Sequence, residues 1–198
     1  MQILLLRHGK TEGNLSHKYI GRTDQSLCRE GIAELRRQGI IGNIDTVYVS
    51  PLRRTAETAA ILFPQAKPVV IEAFREMDFG DFEGRSPDEM ADDPLYRGWV
   101  DTQCLDACPN GESMEEYSRI VCAQFEKLVA DALFHGKDRL AIVAHGGTIM
   151  AIMGRYSRDN APFYQWCPKN GSGWQANLDT HYWQQNKKFF SFEPFSRK

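Results

Sequence analysis

The chain has 198 residues, 42% hydrophobic and 25% charged, with 24 Lys and Arg against 26 Asp and Glu for a net charge of −2. At that length one domain spanning 1–198 is expected, burying roughly 70% of the surface its unfolded form exposes. The near-neutral balance, with no run of Lys or Arg longer than two residues, argues against a nucleic-acid partner held by bulk charge, while leaving room for a local basic pocket.

The apolar run Ile3-Leu4-Leu5-Leu6 stops at Arg7, too short for a signal-peptide core or a membrane span. No membrane association and a cytoplasmic location are the expectation. The five cysteines (Cys28, Cys104, Cys108, Cys122 and Cys167) are odd in number and contain no C-x-x-C pair, which fits free thiols rather than a disulfide framework. Zinc at Cys104 and Cys108 lacks a second ligand pair of metal-site spacing, so no metal is expected.

In chain order, Met1 to Leu6 reads as a buried strand. Ile32 and Leu35 sit at helical spacing in a segment from Gly31 to Gly39. Thr46 to Val49 is a second strand, leading to Ser50-Pro51, where Ser suits a cap and Pro a first turn for a helix to about Leu62. Val69 to Ile71 is a third short strand, and 86–112 reads as a lid-like insertion carrying aromatic residues. Ser113 and Glu116 are spaced for a capping box opening a long helix to about Phe134. Leu140 to Ala144 is a fourth strand, followed by His145-Gly146-Gly147-Thr148 and a helix through Met153. The tail from Trp174 to Phe192 reads as a hairpin with Asn186 near its turn. Its rings (Trp174, His181, Trp183, Phe189 and Phe190) would finish the sheet or cover a helix, and an exposed cluster of them would offer a homodimer contact. Ser196-Arg197-Lys198 is expected to fray. Strands alternating with helical patterns indicate an α/β fold.

Three strands end in chemically related residues: Arg7-His8-Gly9, Ser50-Pro51-Leu52-Arg53-Arg54 and His145-Gly146-Gly147. Open α/β sheets bind ligands beyond the carboxyl ends of their strands, so neighbouring strands would gather these residues in one crevice. Arginine forks match phosphate oxygens. Glycines admit backbone close to a ligand, and a helix starting near Thr148 would aim amides at an anion. Neighbouring arginine charge favours neutral His8, the form able to act as a nucleophile. A phosphatase also needs a group that gives a proton to the leaving oxygen and then takes one from water. Glu76 suits that task, with Asp78, Asp81 and Glu83 as rivals nearby and Glu12 as a residue that could orient the loop.

LLLRHGKTEGN, GRTDQSL, VSPLRRTAETA, FREMDFGDFEG, PNGES and VAHGGT, in that order, resemble the motifs of the histidine phosphatase superfamily, which includes the phosphoglycerate mutases. The resemblance implies a three-layer α/β/α sandwich with a mostly parallel sheet, a small phosphomonoester as partner, no cofactor and a phosphohistidine intermediate. It places His8 on the nucleophile, Arg7 and Arg54 on phosphate ligands, His145 on the second catalytic histidine and Glu76 on the proton donor. Asn14 falls on a phosphate-contacting position, and Thr148 on one that supplies a backbone amide. Lys10 and Gly21 depart from the common pattern, and both bear on what the pocket admits.

The chain is short for a mutase, whose extra segments surround the pocket. SPLRRTAETAAILFP, FREMDFGDFEG and Tyr96-x-x-Trp99-x-Asp101 resemble the α-ribazole phosphatase subgroup, with Tyr96 and Trp99 available to stack on a flat base or simply to pack the insertion. A broad sugar-phosphate or phosphoglycerate phosphatase shares every catalytic residue. A binding protein without catalysis would be marked by a lost catalytic group, and none is lost.

Overall fold

A computed structural model of the chain describes residues 1–196; Arg197 and Lys198, in the end expected to fray, lie outside the described residues. The elements are β1 (Gln2–Arg7), α1 (Glu12–Leu15), α2 (Arg29–Gln38), β2 (Thr46–Val49), α3 (Arg53–Leu62), β3 (Lys67–Val70), α4 (Pro94–Asp101), α5 (Met114–Phe134), β4 (Arg139–Ala144), α6 (Gly146–Tyr156), β5 (Gly173–Asn177), α7 (Thr180–Asn186) and β6 (Ser191–Phe195). They form one six-stranded sheet in the order β3-β2-β4-β1-β5-β6. The first four of these are mutually parallel, β5 pairs antiparallel with β1, and β6 pairs antiparallel with β5.

β1 explains the layering. Its near-continuous apolar run is what a strand buried on both faces requires. Ile3 and Leu5 join one core with α5, α6 and Trp183, while Leu4 and Leu6 join a second core with residues of α2 and α3. Helices therefore cover both faces, giving the three-layer α/β/α fold.

The parallel order β2-β4-β1 positions the site. Arg7 is level with Ala144, and Val49 with Val143, so the residues after all three strands emerge at one sheet edge.

Local differences from the sequence reading have physical causes. α3 starts at Arg53 with Leu52 at the cap position, whose own side chain makes no cap bond. Ser50 does not cap it, because its hydroxyl is engaged with His145. Ser113 does accept from the Glu116 amide, and α5 runs as expected. β5 and β6 form the expected hairpin pairing, but α7 occupies the connection. Asn186 ends that helix, and the reversal comes at Lys187, whose φ is 51°. Trp183 and Phe189 are buried against Tyr156 and Phe125, so the tail covers a core face, while Phe190 remains exposed. Among the described residues no helix is long and apolar enough to cross a membrane.

Candidate active site

A cleft of about 800 Å³ opens at the sheet edge, with Arg7, His8, Glu76, Gly146 and Gly147 in its lining. His8 leaves β1 and is buried. Its Nδ1 lies 2.7 Å from the carbonyl oxygen of Gly9. A carbonyl can only accept, so Nδ1 carries the ring proton and Nε2 keeps its lone pair. Burial, then the charges of Arg54 and Arg7, hold the His8 pKa well below the usual histidine range. The neutral imidazole is the resting form.

His145 follows β4, fully buried, its ring centroid 5.2 Å from that of His8. Its Nε2 lies 2.7 Å from Ser50 Oγ, which accepts from the Leu52 amide and lies 3.1 Å from Thr55 Oγ1, so the Ser50 proton is free to go to Nε2 and leave the ring proton on Nδ1. Burial and then Arg54 depress its pKa as well. Sequence reading missed this use of Ser50. The available signal was its place between a strand and a proline, which suits a cap equally well.

The two arginines are engaged unequally. Arg54 is wholly buried and donates through Nη1 to the Thr23 carbonyl (2.8 Å) and through Nη2 to those of Gly21 (2.8 Å) and Ile20 (3.4 Å). Arg7 Nη1 donates to the Pro168 carbonyl at 2.9 Å and reaches Cys167 Sγ at 3.5 Å. What remains is a set of buried nitrogens without protein partners: Arg7 Nε, Arg54 Nε and His145 Nδ1. Buried polar groups are normally paired, so three gathered around His8 point to an acceptor such as a phosphoryl group.

Of the candidate carboxylates, Glu76 alone lines the cleft. Its Oε1 accepts from the Met77 amide (3.0 Å) and the Tyr117 hydroxyl (3.1 Å), and its Oε2 from the Gly147 amide (3.2 Å). Glu83 instead accepts from the amides of Gly21 and Thr23, Asp78 from Gly80, and Asp81 from Asn110. Glu12 lies in the first turn of α1.

Asn14 lines the cleft, its Oδ1 held by the Thr11 amide and by Asn170 Nδ2 within the capping box of α1. Thr148 is buried below the cleft, bonded to Tyr117 and near the Phe74 carbonyl.

Gly21 is not in the cleft lining. Its amide is held by Glu83 and its carbonyl by Arg54, so it braces the arginine rather than meeting a ligand. Trp99 lines the cleft, whereas Tyr96 packs behind it and bonds its hydroxyl to that of Tyr19 at 3.0 Å. Tyr19, Phe79, Met114 and Tyr164 complete an apolar wall that sequence reading missed, because they come from four separate segments. Lys10 is held by Glu30 (2.6 Å) and Glu34 (2.7 Å).

Among the described residues no group of three or more His, Cys, Asp or Glu side chains is gathered as a metal ion would need, Cys104 and Cys108 included.

The family model of the histidine phosphatase superfamily (branch 1) matches residues 3–186, and the chain belongs to that superfamily. It is 33% identical over 159 residues to "Putative phosphoserine phosphatase 2" of Hydrogenobacter thermophilus, covering 77% of this chain and 76% of that one. It is 25% identical over 164 residues to a 2,3-bisphosphoglycerate-dependent phosphoglycerate mutase of Azorhizobium caulinodans, covering 76% and 79%. The solved α-ribazole phosphatase of Shigella flexneri shares the fold with a TM-score of 0.78 at 24% identity, over 91% of this chain and 92% of that one.

Proposed function

We propose that this chain is a phosphomonoesterase that carries the phosphoryl group on His8 and returns it to water. The observation that carries the reading is the bare Nε2 of a neutral His8 beside three buried, unpartnered nitrogen donors. His8 Nε2 attacks phosphorus, the bond to the ester oxygen breaks, and Glu76 gives its proton to the departing alkoxide. Water then attacks the phosphohistidine while Glu76 takes a proton from it. Inorganic phosphate leaves, and His8 is restored. Arg7 Nε, Arg54 Nε and His145 Nδ1 meet the phosphoryl oxygens, Asn14 adding to them at the rim. A positioned acid–base group of this kind contributes about 10²- to 10⁴-fold.

For the alcohol side of the ester, the wall of Tyr19, Phe79, Trp99, Met114 and Tyr164 suits a flat, weakly polar ring. Its size is that of a small-molecule pocket. That favours α-ribazole 5′-phosphate, with a role in building the nucleotide loop of cobalamin. A second reading, an acidic substrate such as phosphoserine or phosphoglycerate, is favoured by Lys169 in the cleft lining, whose ammonium group has no ion pair among the described residues. Phosphate release from α-ribazole 5′-phosphate, phosphoserine, phosphoglycerates and sugar phosphates, with EDTA present, separates the two. A kcat/KM at least about 100-fold higher on α-ribazole phosphate is expected. Preference for the carboxylate-bearing esters would reverse the assignment, and phosphate release abolished by the chelator would overturn the mechanism.

A further inference from the structure

Tyr117 is buried on the inward face of α5, four residues after the cap Ser113. Its hydroxyl lies 3.1 Å from Glu76 Oε1 and 2.9 Å from Thr148 Oγ1. Thr148 can spend its own hydroxyl proton on the Phe74 carbonyl, 3.3 Å away. Tyr117 therefore has one proton and two acceptors within reach of its oxygen. When Glu76 is a carboxylate, donating to it is the stronger bond, since a charged acceptor roughly doubles the strength. When Glu76 is protonated, the same proton can turn to Thr148 with no buried group left unpaired.

We propose that Tyr117 is a positioning residue that serves both protonation states of Glu76, donating to the carboxylate and turning to Thr148 when the acid is loaded. This rests on Glu76 being the acid–base group of the proposed reaction. The three residues are packed as a unit: a Cβ at position 147 would come 2.4 Å from Glu76 Oε1 and 3.1 Å from Tyr117 Cε1, so only glycine lets the amide there reach Glu76 Oε2. Burial, and next the charge of Glu76, push the phenol pKa well up, so Tyr117 keeps its proton and always has one to donate. The other titratable groups that bear on the pair are Arg54 of α3 and Cys167 on the Glu76 side, and Glu112 on the Tyr117 side.

The test is the pH profile of kcat/KM on an alkoxide ester, glycerol phosphate, and on an aryl ester, p-nitrophenyl phosphate. Phosphorylation of His8 needs protonated Glu76, so on the alkoxide ester kcat/KM falls with rising pH once the acid is lost. Tyr117→Phe removes a donor from the carboxylate and nothing the acid needs. It should move that descending limb up by about one pH unit. Thr148→Val leaves the Tyr117 proton only Glu76 to turn to and should move the limb down. The position of a limb does not depend on the folded fraction of either variant. Movement in the same direction, or an unmoved limb with equal losses on both esters, would reduce Tyr117 to a packing residue. Glu76→Gln separates the two levels. Selective loss on the alkoxide ester with an unmoved Tyr117→Phe limb overturns only this inference, whereas equal loss on both esters overturns the role of Glu76 itself.

Discussion

His8 is neutral for reasons that lie in its immediate surroundings. Two guanidinium groups and burial oppose a charged imidazole, and the Gly9 carbonyl fixes which nitrogen holds the proton. His8→Ala removes the only nitrogen nucleophile in that position and should lower kcat on any phosphomonoester by about 10⁴-fold or more while leaving the far-UV spectrum unchanged. Residual turnover within tenfold of the parent would assign the nucleophile elsewhere. His145 is held in a comparable way by Ser50, whose hydroxyl orients the ring and leaves Nδ1 facing no protein group. Most of this was legible in the sequence, because strand ends bearing Arg-His-Gly and His-Gly-Gly are local features. What was not legible is how the arginines are used. The end of the Arg54 guanidinium is spent on carbonyls from residues 20–23, while Arg7 gives one nitrogen to the Pro168 carbonyl, and nothing near Arg54 in sequence announces those carbonyls.

At the scale of elements, the segment from Ile20 to Thr23 acts as a cradle for α3. Its carbonyls take the Arg54 guanidinium, its amides are held by Glu83, and Asp24 caps the start of α3 through the Arg53 amide at 2.7 Å. Gly21 is fixed here by space rather than by backbone angle, since a Cβ would fall 2.0 Å from the Met77 carbonyl oxygen. Backbone cannot yield cheaply, so Gly21→Ala should destabilise the fold by about 2 kcal/mol. It should also lower kcat/KM by displacing Arg54. A lower urea midpoint together with weaker phosphate inhibition would check both effects; an unchanged midpoint would mean the cradle is loose. The insertion at 86–112 teaches the same lesson. Trp99 and Tyr96 are both legible as aromatics of the insertion, yet only the docking of α4 against Tyr19 and Phe82 decides that one faces the cleft and the other backs it.

For the molecule as a whole, building an anion site inside a folded sheet edge sets how stability responds to acid. His8 and His145 are both buried and both held neutral in the folded chain, with pKa values well below the 6.5 of free histidine. In the unfolded chain each takes up a proton as pH falls through about 6.5. The unfolded state then binds more protons than the folded one, so folding stability falls with pH from there down to the folded-state values. Each histidine can contribute a slope of at most about 1.4 kcal/mol per pH unit, and the pair about 2.7. Carboxylates add their own slope further down, so the informative quantity is a difference. Urea unfolding of the parent and of a His8→Gln, His145→Gln double variant should diverge between about pH 6.5 and 5, the double variant losing less stability per unit. A shift of the midpoint at neutral pH in either direction leaves that comparison intact, because the slope alone reports the two imidazoles. Parallel curves would mean that the folded protein protonates these rings at ordinary pH, and a protonated His8 has no lone pair with which to attack phosphorus.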